Sequence, residues 1–143
     1  MSTDVHEAVE SRLRTIGQRY TSKRRVLVDA LLRARNPVAV PDLARGRGLP
    51  QSSLYRNLAV LEQAGAVHRV MTHEEFGRYE LAEDLTQHHH HLVCRNCGAV
   101  EDVAVTQSFE RQVQRSLADI ADRTGFSAVS HRLDLIGTCR NCG

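Results

Sequence analysis

The sequence predicts an α+β fold in two parts, a winged helix-turn-helix over residues 1–84 and a small α/β unit over residues 85–143. Three observations carry that expectation. Helical periodicity fills the first part and gives way to two short strand patterns. Strand patterns bracket a single amphipathic helix in the second. Basic charge is concentrated in the first: residues 11–56 hold eleven Lys/Arg against Asp29 and Asp42, while residues 81–143 hold six Arg against eight Asp/Glu. A basic front joined to a slightly acidic back is the electrostatic outline of a nucleic-acid reader with a separate control unit. A solvated basic face, or a helical protein–protein module, is the plainer alternative.

In chain order, Val26, Leu27, Ala30 and Leu31 recur at helical spacing over residues 22–35, and Asn36-Pro37 ends that helix. A short helix is expected at 41–45, then a turn containing Gly46 and Gly48. The next helix has Ser52 or Ser53 as N-cap, Leu54, Leu58 and Leu61 as its buried stripe, and Gly65 as its stop. Two helices about a glycine turn, followed by strands at 66–71 and 78–81 around a turn at 72–77, form a winged helix. Its second helix would place Tyr55 and Arg56 against bases or phosphates, with Ser52, Ser53 and Asn57 beside them. Arg19, Lys23 and Arg24 would grip phosphates or the minor groove.

The second part opens on four consecutive histidines, His88, His89, His90 and His91. Read as a strand over 88–93, they alternate, so His88 and His90 share one face and His89 and His91 the other. Cys94 and Cys97 close a tight turn into a second strand at 99–105. A helix at 107–123 carries Phe109, Val113, Leu117 and Ile120 on one face, with Thr106 as cap and Gly125 as stop. A strand at 129–136 follows, with His131 on its apolar face. Cys139 and Cys142 then form a second Cys-x-x-Cys pair. Two such pairs make a four-thiolate zinc site that contributes to folding. The α/β unit is thin enough that pairing with a second copy would bury its open face.

The combination of a winged helix, H-H-H-H-L-V-C-R-N-C-G and a terminal C-R-N-C resembles the ferric uptake regulator family of bacterial metal-responsive repressors. The likeness runs from about Gln18 to Cys142 and includes G-Q-R-Y-T-S-K-R-R, S-S-L-Y-R-N-L and L-x-x-A-G. It implies a homodimer that binds double-stranded operator DNA when its regulatory metal is bound and represses metal-homeostasis genes, with no organic substrate or enzymatic role. The sequence itself, without an apolar stretch of signal-peptide or membrane-spanning character, reads as cytoplasmic and away from the membrane.

By the same resemblance, Cys94, Cys97, Cys139 and Cys142 hold structural Zn2+. A sensing site is built on Glu80, His89 and His91. Many members add a histidine from the loop that here reads Asn36-Pro37-Val38, which cannot supply one. His68 sits where some zinc-responsive members place an Asp and is the expected fourth ligand, with Asp102 the weaker alternative. A third site is expected from His88, His90, Glu110 and His131. The extra histidines favour regulatory Zn2+ over Fe2+. Iron-, nickel-, manganese- and peroxide-responsive regulation are the alternatives within the family, and a zinc-containing thiol redox protein is the alternative outside it.

Overall fold

The computed structural model describes residues 2–72, 77–127 and 129–143, so part of the expected turn at 72–77 lies outside the described residues. Its elements run α1 (Ser2–Thr15), α2 (Ser22–Arg33), α3 (Val40–Ala44), α4 (Gln51–Gln63), β1 (Val67–Val70) and β2 (Arg78–Leu81). A one-turn 3₁₀ helix, Glu83–Leu85, leads into β3 (His90–Cys94), β4 (Val100–Val103), α5 (Gln107–Thr124) and β5 (Asp134–Gly137). Among the described residues, no helix is long and apolar enough to cross a membrane.

The first core is a helical one. Leu54, Leu58 and Leu61 of α4 are fully buried against Leu27, Val28 and Leu31 of α2, Leu43 of α3, and Val9 and Leu13 of α1. Each such leucine contributes about 2 kcal/mol of burial free energy. The first helix was not anticipated, although Val5, Val9 and Leu13 sit four residues apart on one face. Two expectations are corrected. Val26 is 43% exposed, and Val28 takes its place in the core. Helix α4 begins at Gln51 after Pro50 with no side-chain cap, and Ser53 is buried instead of capping.

Helix α4 ends as expected at Gly65. The Gly65 N–H donates to Glu62 O at 2.9 Å and the Ala66 N–H to Leu61 O at 2.9 Å. That is a paired C-terminal cap, and it needs a left-handed residue between its two bonds. Gly65, at φ +76°, supplies it. The chain then enters the antiparallel β1–β2 ribbon, which pairs Val67 with Leu81 and His68 with Glu80. Val38 adds a third edge through two 2.8 Å backbone bonds with Tyr79.

The second sheet has the order β4-β3-β5, with β3 antiparallel to β4 and parallel to β5, the return crossing through α5. Thr106 caps α5 by accepting from the Phe109 N–H, and Gly125 ends it at φ +78°. The third strand starts at His90, so His88 and His89 lie in the connection before it. The last strand covers only Asp134–Gly137, which leaves His131 in the segment before it. No side chain of α5 is buried, and Leu92, Phe109, Ile120, Leu135 and Ile136 are all exposed. Val70 of β1 packs with Val93 and Val100, so the two sheets share a small apolar contact.

Candidate metal centres and DNA-facing surface

Among the described residues, three groups of donors converge, each with its ligand atoms within 4.8 Å of one another. The first is Cys94, Cys97, Cys139 and Cys142. Turns close both pairs: the Gly98 N–H donates to Cys94 O and the Gly143 N–H to Cys139 O, each at 3.0 Å. The Cys97 and Cys139 sulfurs are 3.8 Å apart. Bonds of about 2.3 Å to a tetrahedral zinc require sulfurs about 3.8 Å apart, so the thiols fit the ion. Backbone N–H groups of Cys97 and Cys139 bring the Cys94 thiol down to about 6. Contacts with the Cys139 and Cys97 thiols push Cys142 up to about 12. A divalent cation supplies the positive charge that ionising all four thiols requires.

The second group is Glu80, His89, His91 and Asp102. Glu80 comes from β2, His91 from β3, Asp102 from β4 and His89 from the connection, so the donors span both units. Glu80 Oε2 lies 2.9 Å from His89 Nε2, and Oε1 lies 2.9 Å from His91 Nε2. Asp102 Oδ1 is 3.7 Å from both Nε2 atoms. The outer nitrogens are already engaged. His89 Nδ1 meets Gln87 O at 2.7 Å and His91 Nδ1 meets Asp134 Oδ1 at 3.2 Å. Those partners hold both rings with Nε2 turned inward, as a metal ligand requires.

The charges in this group answer one another. Burial pushes the Glu80 carboxyl up, but hydrogen bonds from His91 and His89 bring it below its ordinary value. Burial pushes His89 and His91 down, and Glu80 with its oxygen-bearing neighbours leaves both raised. Asp102 is raised, by burial first, and the Glu80 carboxylate adds to it against the pull of the imidazoles.

His68 is corrected here, because it stands outside this group and Asp102 stands inside it. The ribbon register does set His68 opposite Glu80. The Arg132 guanidinium, however, reaches the His68 Nδ1 from the segment before β5 and occupies its lone pair. Burial first, then Arg132, lowers the His68 pKa.

The third group is His88, His90, Glu110 and His131. Glu110 Oε1 meets His90 Nε2 and lies 3.2 Å from His88 Nε2. Glu110 Oε2 lies 3.0 Å from His131 Nε2, yet both atoms are buried without a hydrogen-bond partner. Two polar atoms aimed at one point without bonding each other fit a shared cation.

Around α4, Ser52 and Arg56 are exposed in the first turns and Tyr55 is half-buried against the core. Arg19 and Lys23 are also exposed. Three candidates are corrected. Ser53 is buried, and the Asn57 amide donates to its carbonyl at 2.9 Å. Arg24 Nε donates to Asn57 Oδ1 at 3.0 Å, while its Nη1 donates to Arg19 O at 2.6 Å and to Gln18 Oε1 at 3.2 Å. Arg24 and Asn57 therefore brace α2 against α4.

Sequence reasoning also missed residues that the fold brings to the sites. Asn36 Oδ1 accepts the Asp102 N–H at 3.0 Å, tying the histidine-free loop directly to β4. Arg78 Nε donates to Gly98 O at 2.9 Å, joining the wing to the first cysteine turn. Asp134 stands opposite His91 in the parallel register, and nothing local in the sequence marks that pairing.

The model of the ferric uptake regulator family matches residues 15–136. The chain is 32% identical over 142 residues to the ferric uptake regulation protein of Campylobacter jejuni, covering 91% of this chain and 83% of that protein. It is 34% identical over 98 residues to the zinc uptake regulation protein of Mycobacterium tuberculosis, covering 68% and 70%. The Helicobacter pylori ferric uptake regulator structure superposes with a TM-score of 0.75 at 21% identity, covering 99% of this chain and 93% of that one, a likeness of fold.

Proposed function

The chain belongs to the ferric uptake regulator family, and we propose that it is a zinc-responsive repressor whose hold on double-stranded operator DNA depends on metal bound between its two units. It is a metal-responsive transcription regulator and not an enzyme. The carrying observation is the group Glu80, His89, His91 and Asp102, which draws one donor from the wing and three from the connection and sheet beyond it. A donor set that spans the two units is complete only in one relative placement of reader and sheet. Occupancy therefore has differential affinity for that placement, which is what coupling to DNA requires.

We divide the chain into a reader over residues 1–84 and a dimerisation and metal unit over 85–143. The separate sheets support that division. Cys94, Cys97, Cys139 and Cys142 hold structural zinc, and His88, His90, Glu110 and His131 form a further site. Bound metal supplies a positive centre shared by donors that otherwise share protons. The protein's own groups do the rest: Gln87 and Asp134 fix the imidazoles, Glu80 carries the wing to them, and Arg56 with Arg19 and Lys23 meets the phosphates. The exposed apolar side chains of α5 and β5 support a homodimer, and we place it in the cytoplasm.

Zinc is favoured by the three imidazoles of the third group. The iron reading also has an observation in its favour. Asp102 in place of His68 gives two imidazoles and two carboxylates, a set that suits ferrous iron as well. The thiol redox reading is not kept, since all four thiols converge on one point in a chain of a regulator family. An operator duplex selected from a random pool, titrated at buffered free zinc, ferrous iron, nickel and manganese, tests the proposal. Zinc is expected to raise affinity at the lowest free concentration. A response to iron alone would overturn the zinc assignment.

A further inference from the structure

Between the wing and the histidine run lies the single 3₁₀ turn Glu83–Leu85. Its two adjacent carboxylates face opposite ways. Glu83 Oε1 lies 2.7 Å from His88 Nδ1 and accepts the His89 N–H at 3.2 Å. One oxygen thus touches a ligand of the third group and the backbone of a ligand of the second. Asp84 turns toward the reader. Its Oδ2 meets Arg12 Nη2 at 2.5 Å and its Oδ1 meets Arg12 Nη1 at 3.3 Å. The same Nη1 donates to Gly65 O at 2.6 Å.

Gly65 and Ala66 form the C-terminal cap of α4, the helix that presents Arg56. The base of the turn is pinned at the same place, because the Ala82 N–H donates to Ala66 O at 2.9 Å. The turn is internally braced by the Leu85 N–H on Ala82 O and the Thr86 N–H on Glu83 O. A short braced segment is therefore bonded at one end to both histidine groups and at the other to the end of the recognition helix.

We infer that the Glu83-Asp84 pair is the coupling element of this regulator, a two-armed hinge that carries a change at His88 and His89 to the cap of α4 through Arg12. The inference rests on the proposed metal-dependent reading and names residues that neither ligate metal nor touch DNA. It needs no new conformation beyond a small displacement of a bonded turn. It also accounts for Arg12, whose forked guanidinium holds a carboxylate and a helix-end carbonyl at once, which a lysine cannot do with the same geometry. The charges agree with the bonding: the Arg12 bond holds the Asp84 carboxyl below its usual range.

Two readouts separate this hinge from the functional reading. In protein alone, amide hydrogen exchange at Gly65 and Ala66 is compared without and with zinc ion. The wild type gains protection there, by about tenfold for a coupling of typical size. Asp84→Asn, Arg12→Gln and Glu83→Gln lose that response, while each still binds zinc with affinity within about threefold of wild type. The double variant Glu83→Gln/Asp84→Asn loses no more than either single one. An unchanged cap in the wild type, an intact response in Asp84→Asn, or independent losses that sum in the double variant would each overturn the hinge. With the selected operator duplex, the zinc-dependent gain in affinity falls in the same variants. A cap response that persists without any gain in DNA affinity would sink the repressor reading and leave the hinge standing.

Discussion

Glu80 reaches His91 across the boundary between the units, with Oε1 2.9 Å from Nε2. The contact joins the wing to the strand that also carries Cys94 of the four-thiol group. Reader and sheet are thus tied through the donors that a regulatory metal would use.

If the cysteine group holds structural zinc, its loss unfolds the second unit first. Cys139→Ser, or removal of the tightest-bound zinc by a strong chelator, is expected to lower the melting temperature by roughly 10 °C, about 3 kcal/mol for a chain of this size. Differential scanning calorimetry at matched dimer concentration checks this. A melting temperature unchanged after zinc loss would contradict the structural role.

Arg56 is exposed in the second turn of α4, whereas Asn57 braces Arg24. Arg56→Ala should weaken operator binding and reduce the salt dependence of log affinity by about one. Asn57→Ala should instead cost about 1 kcal/mol of stability through the lost brace. Fluorescence anisotropy over a salt series, with urea unfolding alongside, separates the two.

His6 ties the first helix to α2 and the segment before it: its Nδ1 lies 2.5 Å from the Tyr20 hydroxyl and its Nε2 2.8 Å from Asp29 Oδ1. Burial raises Tyr20 from 10.0 to about 12. The unfolded chain therefore loses this proton at lower pH than the folded one. The associated stability is fully present below pH about 10 and is lost as pH rises toward 12. Burial raises Tyr79 as well, so phenolate absorbance should show two late-titrating tyrosines in the wild type, and Tyr20→Phe should remove the one near 12. Leu13→Ala, which empties a buried position on the same helix, should cost about 2–5 kcal/mol.

Much of this was legible because it is local or periodic. The alternation of His88 to His91 sends neighbours to opposite faces, and the structure places His88 and His90 in one donor group and His89 and His91 in another. The cysteine pairs were legible from spacing alone, and Gly65 from its position after Leu61. What stayed hidden depends on register and on distant partners. Asp102, expected only as the weaker alternative, faces the histidines because β4 pairs with β3, and His68, set opposite Glu80 in the ribbon, has its Nδ1 claimed by Arg132, sixty-four residues later. Asn36, Asp134 and the Glu83-Asp84 turn likewise take their meaning only from what the fold sets opposite them. The missing first helix was a different failure, since Val5, Val9 and Leu13 were there to be read.

The most direct test of the central claim is operator affinity of wild type, His89→Ala and His91→Ala, measured with and without zinc, with the zinc content of each chain determined in parallel. The wild type should bind at least about fivefold more tightly with zinc, within the usual span of allosteric coupling. Both variants should lose that gain while keeping the cysteine-bound zinc and the folded state. A variant that still responds fully to zinc, or a wild type that binds equally well without it, would contradict the assignment of Glu80, His89, His91 and Asp102 as the sensing site.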